Sequence, residues 1–111
     1  MTVQQLEKVR TSDAALKLVD VRSEPEVEIC SIDKSVNIPL TELQYDGNWE
    51  KIKSKLNCDT GESVYVICRR GNDSQIATTL LRKLLPDCSI KDVIGGLHAW
   101  SKHIDHSFPV Y

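Results

Sequence analysis

The sequence predicts an α/β fold with a mainly parallel central sheet and helices on both of its faces. Three observations point there. Short apolar runs alternate along the chain with segments of helical periodicity, the order that strand-helix-strand units produce. The run Val64-Tyr65-Val66-Ile67 is apolar at every position instead of alternating, as in the interior of a sheet covered on both sides. Finally, 111 residues, 41% of them hydrophobic, can fill one ordinary core but leave no room for a second domain.

Each element has its own signal. Val3 to Val9 places Val3, Leu6 and Val9 at helical spacing, and Thr11-Ser12-Asp13 then supplies polar breakers. Leu16 to Val21 follows as the first buried strand. Glu24 to Ile29 predicts a short helix behind Pro25, because proline is tolerated in a first turn, where its missing N–H costs no bond. Ser35 to Leu40 reads as a brief second strand stopped by Pro39, with a polar connection after it. Trp49 to Leu56 sets Trp49, Ile52 and Leu56 on one helical face, with Lys51, Lys53 and Lys55 solvated.

Val64 to Ile67 is then the central strand. Ser74 to Leu85 is the best-marked helix, with Ile76, Ala77, Leu80, Leu81 and Leu84 on one stripe. Asn72, Asp73 and Ser74 are candidate caps, Arg82 and Lys83 suit the negative end of the helix dipole, and Pro86 closes the segment. Ser89 to Val93 reads as a further strand, Gly95-Gly96 as a tight turn, and Leu97 to Ile104 as a closing helix that buries Trp100.

Charge narrows the function. Fourteen Lys+Arg against 16 Asp+Glu give a net charge of -2, and the pI is about 5.9 with a mean hydropathy of -0.28. No basic excess favours direct nucleic-acid binding. No apolar run reaches the roughly 18 residues of a membrane span, and the opening MTVQQLEKVR lacks a cationic start and apolar block. A cytoplasmic location is the expectation. There the four cysteines, Cys30, Cys58, Cys68 and Cys88, stay reduced, and their spacing fits neither a disulfide scaffold nor a zinc site. His98, His103 and His106 are scattered and form no metal-binding pattern.

Cys68 stands where the central strand ends, and Arg69-Arg70-Gly71-Asn72-Asp73 separates it from the best-marked helix. In parallel sheets ligands bind beyond the carboxyl ends of strands, where a helix N-terminus offers free N–H groups and partial positive charge. Gly71 lets the loop curl so that several N–H groups converge on one atom, and Arg69 and Arg70 add positive potential. These influences depress a thiol pKa and favour a nucleophilic thiolate. Cys30, Cys58 and Cys88 have no comparable setting, and Asp20 with Arg22 and Glu26 reads as a structural ion-pair group that positions loops.

Phosphatase chemistry shares the strand-end cysteine but requires a cysteine, five residues and then an arginine whose planar fork grips two phosphate oxygens. Position 74, where that arginine would stand, is Ser. The loop here is too short and its arginines lie at the wrong offset.

LVDVRSEPEVE (Leu18 to Glu28), NIPL (Asn37 to Leu40), the segment around Cys68 and GGLHAW (Gly95 to Trp100) occur in that order, and together they resemble the rhodanese-like sulfurtransferase domain along nearly the whole chain. EVEICSI, CRRGNDSQ, DVIGGLHAW and the terminal FPVY are similar to a narrower branch, the rhodanese domains that end the eukaryotic adenylyltransferase-and-sulfurtransferases. The resemblance implies that Cys68 accepts sulfur from a cysteine desulfurase as a persulfide. It also implies transfer to the adenylated C-terminal glycine of a ubiquitin-like sulfur carrier, serving tRNA thiolation, molybdenum cofactor biosynthesis, or both. Arg69, Arg70, Gly71, Asn72, Asp73 and Ser74 would then form the anion-binding loop. On this resemblance the domain needs no cofactor. ATP and any zinc belong to an adenylyltransferase part of the same polypeptide.

Two positions depart from the wider family. Asp73 stands where thiosulfate-using relatives often carry a cationic or hydroxyl residue; a carboxylate there should repel the thiosulfate dianion and cap the following helix. Cys30 to Pro39 also replaces a Gly-His-Ile-like stretch. A stand-alone small-molecule sulfurtransferase and a non-catalytic interaction module are the alternatives. Asp73 speaks against the first, and the intact Cys68-Arg69-Arg70-Gly71 against the second.

Overall fold

A computed structural model describes residues 1–12 and 16–111. Four strands, β1 (Lys17–Asp20), β2 (Val36–Asn37), β3 (Ser63–Ile67) and β4 (Ser89–Asp92), pair in parallel in the order β2-β1-β3-β4. The register sets Val19 opposite Val66 and Val66 opposite Asp92. The carboxyl ends of β1, β3 and β4 therefore meet at one edge of the sheet.

The helices are α1 (Val3–Ser12), α2 (Glu24–Ile29), α3 (Leu40–Leu43), α4 (Trp49–Leu56), α5 (Asp73–Leu84) and α6 (Gly96–His103). They cover both faces. Val64 and Val66 join Ile52, Leu56, Ala77 and Leu81 in one apolar cluster, whereas Tyr65 and Ile67 join Val3, Leu6, Leu97 and Trp100 in the other. Successive side chains of a strand point to opposite faces, so a strand between two apolar layers has no polar position to spare. That is why β3 lacks alternation.

The α2 and α4 spans agree with the spacing of their residues, and Lys51, Lys53 and Lys55 are exposed as expected. Three expectations about element boundaries need correction. The helix α1 continues through Thr11 and Ser12, whose hydroxyls bond back to the carbonyls of Glu7 and Lys8 at 3.1 and 3.0 Å, satisfying themselves without ending the helix. Asp13 lies outside the described residues. The second strand shrinks to β2, because Leu40 opens α3, and a 3-10 turn (Asp46–Asn48) occupies the segment read as a polar connection.

In α5, Ile76 is 48% exposed while Ser74 and Thr78 are buried. The inward stripe runs Ser74, Ala77, Thr78, Leu81 and Leu84, still at i, i+3, i+4 and i+7. Two of its members are small hydroxyl residues that hydrophobicity does not mark. Ser74 lies where α5 approaches the sheet beside Cys68.

Candidate active site

Cys68 follows β3 directly and is 3% exposed. The chain then turns at Gly71, whose φ of +99° is open to glycine and costly to other residues. That turn directs the Gly71 N–H at Cys68 Sγ, 3.0 Å away. The Cys68 thiol in turn donates to Ser74 Oγ at 3.3 Å, and the Ser74 hydroxyl donates to Asp92 Oδ1. Asp92 ends β4 beside β3, so sheet register brings it to Ser74. Among the described residues one backbone N–H, rather than several, meets the sulfur, because the Ser74 hydroxyl takes the place beside it.

The loop is held from behind by α6. Leu97 and His98 donate their N–H groups to the carbonyls of Cys68 and Arg69 at 2.9 and 3.0 Å. These are free N–H groups of a helix start, used here to fix a loop. Contact is close enough to require glycine: a Cβ on Gly96 would lie 2.3 Å from the Cys68 carbonyl oxygen. The Gly95-Gly96 turn thus belongs to the site although it carries no reactive group.

Arg69 is half-buried, with its guanidinium 4.2 Å from the centre of the Tyr111 ring, within cation–π range. Tyr111 accepts a hydrogen bond from Arg22 Nη1 at 2.8 Å and donates one to Glu26 Oε2 at 2.9 Å. Arg22 and Asp20 form the ion pair expected of them, with Nη2 to Oδ2 at 2.6 Å and both side chains 1% exposed. Arg22 also reaches the carbonyls of Glu26 and Cys30 at 3.1 and 2.6 Å. Burial opposes its charge, but the bonds to Asp20 and Tyr111 outweigh that and raise its pKa. Glu26 feels burial upward and the Tyr111 and Ser23 hydrogen bonds downward, and its carboxyl settles below the ordinary range.

Arg70, Asn72 and Asp73 are exposed around the mouth. Asp73 does not cap α5 as expected; it is the first helical residue, and no side-chain bond caps the helix at Asn72. Asn72 already has helical angles, φ -84° and ψ -56°, whereas a capping side chain folds back from an extended residue. The Asp73 carboxylate consequently faces the mouth. A cavity of about 190 Å³ is lined by Cys68, Arg69, Arg70, Asn72 and Asp73. A second of about 380 Å³ runs from Cys68 and Asp73 past Arg22 and Glu26 to Pro39 and Leu40.

The candidate residues Cys68, Arg69, Arg70, Gly71, Asn72, Asp73 and Ser74 therefore share one loop and helix start. Asp92 and Tyr111 join them without any local sequence signal. The only hint for Asp92 is its place at the end of a strand neighbouring β3.

A parallel sheet that offers a strand-end thiol to a glycine turn and a helix start defines a class of α/β protein built around one thiol. The chain belongs to the rhodanese family, matching the Rhodanese-like domain over residues 2–103. It is 47% identical over 94 residues to the adenylyltransferase and sulfurtransferase MOCS3 of Drosophila ananassae, covering 85% of this chain and 21% of that protein. The corresponding protein of Drosophila sechellia is 46% identical over 94 residues. The chain spans about a fifth of the length of these relatives. Among solved structures, a rhodanese-related protein from Thermoplasma volcanium superposes with a TM-score of 0.71 at 31% identity, covering 100% of this chain and 95% of that one. The human single-domain sulfurtransferase TSTD1 shares the fold, with a TM-score of 0.75 at 23% identity, covering 93% and 95% of the two chains.

Proposed function

We propose that this chain is a sulfurtransferase domain in which Cys68 carries sulfur as a persulfide between two proteins. The observation that carries the reading is the Cys68 sulfur itself, met by the Gly71 N–H at 3.0 Å and opening onto both cavities. The Cys68 thiolate attacks the outer sulfur of a persulfide on a cysteine desulfurase. A Cys68 S–S bond forms, and the donor cysteine leaves as a thiolate. The terminal sulfur remains anionic near neutral pH, and the Gly71 N–H, the start of α5 and the two arginines favour that charge.

The acceptor is the adenylated C-terminal glycine of a ubiquitin-like sulfur carrier. The terminal persulfide sulfur attacks its carbonyl and expels AMP, leaving an acyl disulfide on Cys68. A thiol reductant then cleaves that S–S bond and releases the thiocarboxylate. The larger cavity supports this acceptor: at about 380 Å³, with Pro39 and Leu40 on one wall and Arg22 and Glu26 on another, it suits a short extended peptide tail. The MOCS3 relatives, adenylyltransferase and sulfurtransferase by name, support an adenylyltransferase part on the same polypeptide; roles in tRNA thiolation and molybdenum cofactor biosynthesis in the cytoplasm complete the proposal. The rhodanese domain itself uses no cofactor in this scheme. No described helix is long and apolar enough to cross a membrane.

Mass spectrometry tests the carrier step. After incubation with cysteine and a desulfurase, Cys68 gains one sulfur atom, and the Cys68→Ala variant gains none. A wild-type protein that stays unmodified refutes the reading. The open Asp73 carboxylate sets donor choice: Asp73→Ala raises thiosulfate turnover several-fold and Asp73→Arg raises it further, in a thiosulfate:cyanide assay. Unchanged turnover in both variants would remove Asp73 from donor selection.

A further inference from the structure

Cys58 and Cys88 lie at the other end of the sheet from Cys68. Cys58 is in the loop that leads into β3, and Cys88 directly precedes Ser89, which pairs in register with Ser63. The two segments are bound to each other, Gly61 N–H to the Asp87 carbonyl and Ser89 N–H to the Glu62 carbonyl, both at 2.8 Å. The thiols share one acceptor: the Asp59 carbonyl oxygen lies 3.8 Å from Cys58 Sγ and 3.4 Å from Cys88 Sγ. Both are half-buried against the same apolar cluster.

We propose that Cys58 and Cys88 form a second thiol site, a dithiol that a small-molecule disulfide of the glutathione type converts into an intramolecular disulfide. Burial, followed by the neighbouring Cys88 thiol, pushes the Cys58 thiol up to about 12, so Cys58 is the later of the two sulfurs to react. The Cys88 thiolate attacks one sulfur of oxidised glutathione, forms a mixed disulfide and expels a glutathione thiolate. Cys58 then gives its proton to solvent, attacks the Cys88 sulfur and expels the second glutathione thiolate. Two protein thiols are oxidised and one glutathione disulfide is reduced to two thiols. Backbone bonds hold the two segments together and one carbonyl oxygen lies within reach of both sulfurs, so closure turns each sulfur from that carbonyl to the other.

The ring closed in this way contains β3, the Cys68 loop and α5. It would restrain the segment that carries the reactive thiol without touching that thiol. The proposal is independent of the sulfur-transfer reading and is tested without it, in a chain carrying Cys68→Ser to remove the competing thiol. Incubation with excess oxidised glutathione should give a mass lower by two hydrogens, a cross-linked peptide pair containing Cys58 and Cys88, and no retained glutathione. The thermal midpoint should rise by about 5–10 °C and return on reduction. Adding Cys58→Ser or Cys88→Ser should abolish the rise, with Cys58→Ser trapping one glutathione on Cys88. Persistent adducts on the unsubstituted pair, cross-links to Cys30 or between chains, or an unchanged mass would each overturn the proposal, whatever the single variants do.

Discussion

The two ends of β3 put cysteines in opposite chemical company. At the carboxyl end, Cys68 meets an N–H donor, from Gly71 at 3.0 Å, with the start of α5 just beyond. At the amino end, Cys58 and Cys88 meet a carbonyl acceptor, from Asp59 at 3.8 and 3.4 Å. The direction of a parallel sheet explains the difference. Helices begin where strands end and finish where strands begin, so one edge gathers N–H groups and the other gathers C=O groups. A donor aimed at a sulfur favours its anionic form, and an acceptor favours its protonated form. Strand direction has therefore given the thiols different neighbours before any side chain is considered.

The strongest way to break the contrast is to disturb the donor end from behind. Gly96→Ala places a Cβ against the Cys68 and Arg69 backbone at 2.3 to 2.9 Å and holds a non-glycine residue at φ +59°. It should cost roughly 3 kcal/mol in chemical denaturation and abolish loading of Cys68. Normal loading in this variant would mean that the loop needs no support from α6.

A smaller effect follows from Ser74→Ala. It removes the hydroxyl between Cys68 and Asp92 and leaves a part-buried carboxylate short of a donor. Stability should fall by about 1–2 kcal/mol. Sulfur transfer should slow several-fold and recover in Ser74→Thr, an outcome that separates hydrogen bonding from packing in steady-state assays.

The effect at the acceptor end is the smallest near neutral pH and emerges only in alkali. Cys58 is raised in the folded protein from 9.0 to about 12, first by burial and then by the neighbouring Cys88 thiol. The folded state holds the proton more tightly than the unfolded one. The resulting stability is fully present below about pH 9 and lost as pH rises towards 12. Denaturant titrations of reduced protein should show this alkaline loss, and Cys58→Ser should flatten it.

Much of the architecture was legible because it rests on local patterns. The apolar run of β3, the lysine-backed face of α4 and Pro25 in the first turn of α2 each carry their own evidence. α3 was not legible, since Leu40–Leu43 is too short to show a period and follows a proline that looks like a strand stop. The inward stripe of α5 misled for another reason: Ser74 and Thr78 are buried, and a scan for apolar residues promotes Ile76 instead.

The site divides in the same way. The loop from Cys68 to Ser74 is contiguous, so its grouping could be read directly. Asp92, Tyr111 and the Cys58–Cys88 pair are brought in by sheet register and tertiary packing, and their neighbours in sequence say nothing about them. Asp73 lines a cavity with the thiol, but as the first helical residue of α5 it makes no capping bond.

The two bonds from Leu97 and His98 to the Cys68 loop also fix a time. α6 follows β4 in the chain, so a polypeptide emerging from the ribosome exposes Cys68 well before it can shape the turn that aims Gly71 at the sulfur. Through that interval the thiol is an ordinary cysteine. On the proposed function, the thiol gains the bonded setting of its loop last, when α6 docks.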